Sequence, residues 1–454
     1  MRAFGVVLLA LSVAGAARAA EVPLAQRLET AMARMFRADA PGATVIVVKD
    51  GVTILRKAYG LADVDAKTPM QPDMQLRLGS VTKQFTAVAI MMLEEQGKLS
   101  LHDDITRFLP DYPLKGQRIT VEQLLQHTAG IRNYTAMLTY PFFASEDRSV
   151  QQMIDYFKDE ALEFAPGERW GYSHSGYFLL GAIIEKASGM SYADFLAANI
   201  FEPLGMRDTA HEGRERSGKR RVTGYREGIF SGYRPAEPIA MSTSYAAGAL
   251  VSTVDDLARW DEAISAGKLL SAWGWKQVFT PCSLPSGARC GYGFGWSLGS
   301  MRGHRIAAHG GDIPGFNSQS IRLPDDKVFV AVLGNANRNL LNTERIAFTA
   351  AAIAVGDPFP QPRAIPMTKL ALSTFAGSFR MADNSTRNIV FDGGGLRFER
   401  KGRPAAGLRP YAVDKFFLEG TLVTLDFVRG PDGVVSGFTL HGLTGDESAE
   451  RIVN

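Results

Sequence analysis

The stretch S-V-T-K-Q-F-T-A-V-A-I-M-M-L, residues 80–93, constrains this chain more than any other. From Phe85 onward it is apolar on nearly every face of a helix, so the helix has no side to turn to water and must be enclosed. Enclosure takes packed layers all round. A chain of 454 residues with 46% hydrophobic and 21% charged residues can supply them. At the entrance of this helix stands Lys83, one turn after Ser80. Alone, the pair reads as a serine N-cap followed by a solvated lysine. Two features weigh against that reading. No Glu or Gln stands three residues after Ser80, so there is no capping box. And the helix that follows is a buried one. A buried lysine beside a helix N-terminus has a depressed pKa, and residues three apart share a helix face. That is the arrangement of a lysine that activates a serine nucleophile.

The rest of the chain offers the layers. Periodicity predicts a helix over 24–36 and further helices over 81–96, 120–127, 150–158, 175–188, 191–200, 253–266 and 343–355. Residues 43–48 and 53–59 are β-rich and separated by Lys49-Asp50-Gly51, a hairpin. Residues 305–309, 318–323 and 328–333 read as strands, the last two joined by a turn at 323–327. Strands at both ends and helices between them do not make a repeating βαβ pattern. They predict an α+β fold, an antiparallel sheet built from both ends with a helical insertion. Asp357-Pro-Phe-Pro-Gln-Pro-Arg363 is a proline-rich linker. Beyond it, alternating runs at 388–391, 396–399, 416–418, 423–427 and 435–440 predict a small antiparallel barrel or sandwich. The expected division is therefore 1–19, 20–356, a linker at 357–369, and 370–454.

Residues 1–19 carry Arg2, a short apolar core from Phe4 to Val13, and Ala17-Arg18-Ala19. That is the pattern of a secretory signal peptide, too short for a membrane span. Its removal takes the formal net charge from +3 to +1, and the expected location is periplasmic or secreted. No later stretch approaches the roughly 18 apolar residues a span needs. No basic block with interleaved aromatics appears, which argues against a nucleic-acid partner. The two cysteines, Cys282 and Cys290, lie eight residues apart. An oxidising compartment lets them bridge; two free thiols remain the alternative. No zinc pattern or H-x-x-x-H spacing occurs, so neither a metal nor an organic cofactor is expected.

Two further segments keep company with Ser80 and Lys83. Trp170-Gly-Tyr172-Ser-His174-Ser-Gly-Tyr177 precedes an apolar helical run. A tyrosine hydroxyl there can carry a proton if a nearby lysine cation lowers its pKa; the plain alternative is a packed aromatic. Ala308-His309-Gly310-Gly311-Asp312 closes a predicted strand. Its glycines let backbone approach a ligand closely, the alternative being an ordinary hairpin end. Gly295-Trp-Ser297-Leu-Gly299 fits G-x-S-x-G, but a nucleophile elbow needs a helix after the turn, and a strand is predicted there.

With these segments in order, the chain resembles the class C β-lactamase-like serine hydrolases. That family includes D-aminopeptidases, D-Ala-D-Ala carboxypeptidases and esterases of the same fold. S-V-T-K corresponds to its S-x-x-K motif. E-Q-G-K-L-S-L-H-D (95–103), T-V-E-Q-L-L-Q-H-T-A-G-I (120–131), F-A-P-G-E (164–168), P-L-G-M (203–206) and S-T-V-D-D-L (252–257) look like its other landmarks. His309-Gly310-Gly311 looks like the H-x-G form of its third motif. The resemblance implies Ser80 as nucleophile, Lys83 as the group that deprotonates it, and Tyr172 as proton carrier to the leaving group. The amides of Ser80 and Asp312 would form the oxyanion hole, with His174, His309, Gly310 and Gly311 in the substrate-binding wall. The family's second motif is usually Y-x-N, and here it is Tyr172-Ser173-His174. A histidine beside Lys83 is expected to make activity vary around roughly pH 6.5. From Phe375 onward the chain loosely resembles the lipocalin-like domains attached to some members, with homo-oligomerisation as one implied role. The implied activity is an exported hydrolase forming an acyl-enzyme on small-molecule or peptide amides or esters, including D-peptides and β-lactams. The alternative is a penicillin-binding sensor or scaffold that acylates without turnover.

Overall fold

The computed structural model describes residues 22–214, 222–228, 232–382, 384–401 and 405–452. The expected signal peptide, 1–19, lies outside them. The predicted hairpin forms from β1 (Ala43–Lys49) and β2 (Val52–Tyr59), turning at Asp50 and Gly51, whose φ values are 51° and 76°. The later strands are β3 (Ser297–Met301), β4 (His304–Ile313), β5 (Phe316–Leu323) and β6 (Val328–Gly334). β1 pairs antiparallel with β6, Val45 opposite Val332, so the sheet order is β3-β4-β5-β6-β1-β2. The two ends of the region before the proline-rich stretch thus close one sheet.

Side-chain alternation sends β1 into two cores. Val45 and Val47 face a core with Leu28 and Met32 of α1 (Leu24–Ala33). Ile46 faces the other core, with Phe85. The helical layers are α2 (Thr82–Glu95), α3 (Val121–Leu125), α4 (Val150–Phe157), α5 (His174–Ser188), α6 (Tyr192–Leu196), α7 (Met241–Gly248), α8 (Val254–Ser265), α9 (Ala272–Val278) and α10 (Thr343–Val355). Eleven of the fourteen residues of α2 are buried, as its all-round apolar character requires. Phe85 packs on Trp260 of α8 and Phe201, with ring centroids 4.5 and 5.6 Å away.

Several elements depart from expectation. The predicted helix over 120–127 stops at Leu125, and His127 takes a left-handed φ of 60°. That over 191–200 widens after Leu196 into a π-turn, Ala197–Phe201. α7 and α9, rich in Ser, Thr, Gly and aromatic residues, carry no clean helical period. β3 is an edge strand of weak β propensity, held by its pairing to β4. Ser297 opens that strand, so no helix follows it and the elbow reading fails.

Beyond the proline-rich stretch, Lys369–Ser373 forms a short helix, α11. Eight strands then close an antiparallel barrel in sequential order, from β7 (Gly377–Met381) to β14 (Asp446–Arg451). Phe379, Phe398, Phe416 and Phe438 are among the side chains that fill it, as expected for so small a barrel. Among the described residues no helix is long and apolar enough to cross a membrane.

Asn335, just past β6, ties the chain ends together and is fully buried. Its Oδ1 accepts from the Gly42 amide (2.7 Å), and its Nδ2 donates to the carbonyls of Leu61, Ala62 and Thr223 (3.1, 3.2 and 2.9 Å). Asn335→Ala removes these bonds; the Ala62 carbonyl keeps the Thr223 amide at 3.1 Å, and each of the other three groups left unpaired costs at least about 1 kcal/mol. A loss of about 3 kcal/mol is expected in urea denaturation, with an unchanged m-value.

Candidate active site

Ser80 is not a helix cap. It sits in a 3₁₀ turn, Gly79–Val81, that runs into α2 without a side-chain cap bond. Gly79 needs its φ of 52°, because a Cβ there would lie only 3.1 Å from the Asp312 amide nitrogen. Lys83 is fully buried. Its Nζ donates to the Ala247 carbonyl at 2.8 Å and lies 3.1 Å from Ser80 Oγ. The rings of Tyr172 and Tyr177 flank it at 5.0 and 5.5 Å. Burial alone pushes the ammonium pKa well below the ordinary lysine value. An amine so depressed gives up its proton more readily than an ordinary lysine, and it does so beside Ser80 Oγ.

The Ala247 carbonyl is available because α7 is broken at Tyr245, whose φ and ψ are 41° and −130°. A bulky residue there is a backbone outlier. Beyond the break, the Ala246 and Ala247 carbonyls turn to the side chains of Thr86 and Lys83 on α2.

Tyr172 lies in the loop before α5, its ring centroid 5.0 Å from Lys83 Nζ. Its acidity corrects the sequence expectation. Burial raises the phenol pKa, the Ser80 hydroxyl offsets this in part, and no lysine cation contributes. Tyr172 is therefore a neutral phenol. His174 opens α5, with Nε2 3.5 Å from Ser80 Oγ and Nδ1 3.3 Å from both Asn133 Oδ1 and Thr135 Oγ1. Burial first, then Lys83 and His309, hold its pKa well below 6.5. The expected titration around pH 6.5 is corrected: the imidazole is already neutral there.

The third segment also differs from its expected role. His309 is set back from the cleft. Its Nδ1 donates to the Gly310 carbonyl (2.7 Å) and its Nε2 accepts from the Tyr292 hydroxyl (2.8 Å). Burial, then Lys83, pushes its pKa down to about 3. So His309 holds the strand end and the aromatic wall. The glycines admit protein backbone: a Cβ on Gly311 would collide with the Leu78 carbonyl, and one on Gly310 with the Gln319 side chain. Ser318 Oγ donates to that same Leu78 carbonyl at 2.6 Å. Asn317 Nδ2 donates to the Gly311 carbonyl at 2.9 Å. These contacts set β4, and the Asp312 amide with it, against the nucleophile turn.

Residues outside the three motifs complete the surround. His127 is buried against the rings of Tyr172, Tyr177 and Tyr292, centroids 4.3 to 5.0 Å away. Its Nδ1 accepts from the Ser173 amide at 3.2 Å, which leaves the hydrogen on Nε2. Cys282 and Cys290 form a disulfide, and the Cys282 amide donates to the Tyr292 carbonyl at 3.0 Å. The bridge thereby steadies the residue that holds His309. Asn133 and Thr135 lie just past the 120–131 landmark, and their contact with His174 reveals them.

Ser80 opens on a cleft of about 160 Å³ walled by Tyr134, Tyr140, His174, Ile239 and Ile313. A larger cleft of about 1230 Å³ lies between α8, α9 and the sheet. Its buried titratable groups, Asp261 and Arg322, are paired at 3.0 Å, and it contains no serine–lysine pair. The chemistry belongs to the smaller cleft. Among the described residues no cluster could hold a metal ion.

A buried lysine one helical turn from a serine, in a mixed helix–sheet fold, is the arrangement of serine hydrolases of the penicillin-recognising kind. The family model described as Beta-lactamase matches residues 24–354, and the chain belongs to that family. It is 32% identical over 432 residues to Penicillin-binding protein 4* of Bacillus subtilis, covering 90% of this chain and 94% of that protein. It is 27% identical to the D-aminopeptidase of Gluconobacter oxydans over 77% of this chain and 66% of that one. In structure it is similar to the octameric penicillin-binding protein homologue from Pyrococcus abyssi. That match has a TM-score of 0.67 and 25% identity, over 94% of this chain and 99% of the other.

Lysine 83 carries a testable cost. The unfolded chain binds a proton at this side chain up to the ordinary lysine pKa near 10.4, and the folded protein does not. Wild-type stability therefore rises with pH between the lowered value and about 10.4. Lys83→Met is expected to abolish hydrolysis yet raise Tm at pH 7. Its stability advantage should shrink by about 1.4 kcal/mol per pH unit toward pH 9, measured by denaturation at each pH.

Proposed function

We propose that the protein is an exported hydrolase that cleaves small amide or ester substrates, D-amino-acid derivatives first among them, through an acyl-enzyme on Ser80. The observation that carries this reading is the buried amine of Lys83, 3.1 Å from Ser80 Oγ. In acylation, Lys83 takes the Ser80 proton as Oγ attacks the carbonyl carbon. The amides of Ser80 and Asp312 receive the developing oxyanion, a pair of donors typically worth about 10²–10³ in rate each. Tyr172, a phenol beside Ser80, relays the proton to the leaving group. The small, largely apolar cleft suits a single short residue or acyl group, with the rest of the substrate outside. D-amino-acid specificity is supported by the D-aminopeptidase relative. Export rests on the leader pattern of residues 1–19. The lipocalin-like resemblance of the barrel and the octameric relative support assembly through the C-terminal domain, which light scattering tests.

The decisive experiment is a panel of D- and L-alanine p-nitroanilide, p-nitrophenyl acetate and nitrocefin, with Ser80→Ala alongside. The D-anilide should be cleaved at least about tenfold faster than the L-anilide. Ser80→Ala should lose at least about 10³-fold on every substrate turned over. Activity surviving in Ser80→Ala overturns the acyl-enzyme reading. Equal rates on the two anilides overturn the stereochemical one.

A further inference from the structure

His174 is wired differently from a passive substrate contact. The backbone N–H of His174 donates to Asn133 Oδ1 at 3.2 Å, which fixes that atom as an acceptor. The Thr135 hydroxyl donates to the same oxygen at 3.1 Å, so toward the imidazole it presents a lone pair. Both neighbours of His174 Nδ1 are therefore acceptors, and Nδ1 carries the ring hydrogen. Nε2 is left with a lone pair, on the cleft wall and 3.5 Å from Ser80 Oγ. Lys83 reaches the same oxygen from within α2, fully buried, whereas His174 is half-buried and lines the cleft. The nucleophile thus has two bases, one enclosed and one facing the cleft.

We infer that His174 is the catalytic base of deacylation, taking a proton from the water that hydrolyses the Ser80 ester while Asn133 and Thr135 hold its ring. The inference rests on the acyl-enzyme reading given above. The water gives one hydrogen to Nε2 as its oxygen bonds to the acyl carbon. The tetrahedral oxyanion collapses, the bond from carbon to Ser80 Oγ breaks, and Oγ takes the proton back from the imidazolium. Free acid and the Ser80 hydroxyl result. The charged and titratable groups facing the ring are Lys83 from α2, His309 from β4, His127 from the loop after α3, and Tyr134 and Tyr172. Asp312 lines the same cleft. Burial first, then the proximity of Lys83 and His309, keeps the imidazole pKa well below 6.5, so its lone pair is ready at neutral pH.

The test is pre-steady-state hydrolysis of p-nitrophenyl acetate, with intact-protein mass measured through the time course. His174→Asn retains a polar amide but supplies no base. Its nitrophenol burst rate should stay within about threefold of wild type. Its deacylation should slow by about 10²-fold, as for loss of a general base, and acetylated protein should accumulate. Asn133→Asp gives a second readout that misfolding of the first variant does not touch. A carboxylate at Nδ1 raises the imidazole pKa, so the acid limb of deacylation should move up by about one pH unit or more, with the burst profile unmoved. Unchanged deacylation in His174→Asn, a burst and steady state that fall together, or an unmoved acid limb in Asn133→Asp each overturn the inference. Failure of the underlying reading looks different: wild type shows no acetylated species, or Ser80→Ala forms one equally well.

Discussion

The site depends on the desolvation of one amine. Among the described residues no carboxylate pairs with Lys83, and the enclosure of α2 on all sides pushes its pKa well below the ordinary lysine value. Everything around it serves that state. The Tyr172 and Tyr177 rings exclude water, and the broken helix α7 offers the amine a carbonyl that anchors it without charging it. Burying an amine in this way is unfavourable for folding at neutral pH, and the two large apolar cores offset it. Tyr172 follows the same logic, since burial keeps it a phenol that can both accept and donate.

The second requirement is that backbone meet backbone. Gly311 lets β4 touch the Leu78 carbonyl, Gly79 lets the nucleophile turn approach Asp312, and Asn317 braces the strand from behind. His309 works from beneath, bonded to Tyr292 and to its own neighbour's carbonyl. A chain of contacts therefore runs from the Cys282–Cys290 bridge through Tyr292 and His309 to the strand that faces Ser80.

Much of this was legible in the residues. The all-round apolar run after Lys83 announced a buried helix, and strands at both chain ends announced a sheet closed from both sides. Ser80, Lys83, Tyr172 and the Gly310-Gly311 pair were found through order and spacing, and the structure brings them together. The illegible parts were those decided by tertiary packing. No local signal marks Tyr245 as a helix break, or couples Asn133 to a ring 41 positions away. The titration behaviour of His174 and Tyr172 was misread because the sequence shows neighbours and not burial. In the barrel, β10 (Ala406–Ala412) contains Pro410, and β14 reads D-E-S-A-E-R. Both contradict strand propensity and are held by pairing on either side.

The pairing of β1 with β6 joins residues nearly three hundred positions apart, Ala43 with Gly334 among them. Contacts of such long range form late in folding, because the intervening chain must first give up its freedom. β4, which carries the Asp312 amide, belongs to the same sheet. Ser80 and the Asp312 amide therefore come together only once most of the polypeptide exists and has folded. A nascent chain that has not reached Gly334 contains Ser80 and Lys83 but not the closed sheet that sets β4 against them.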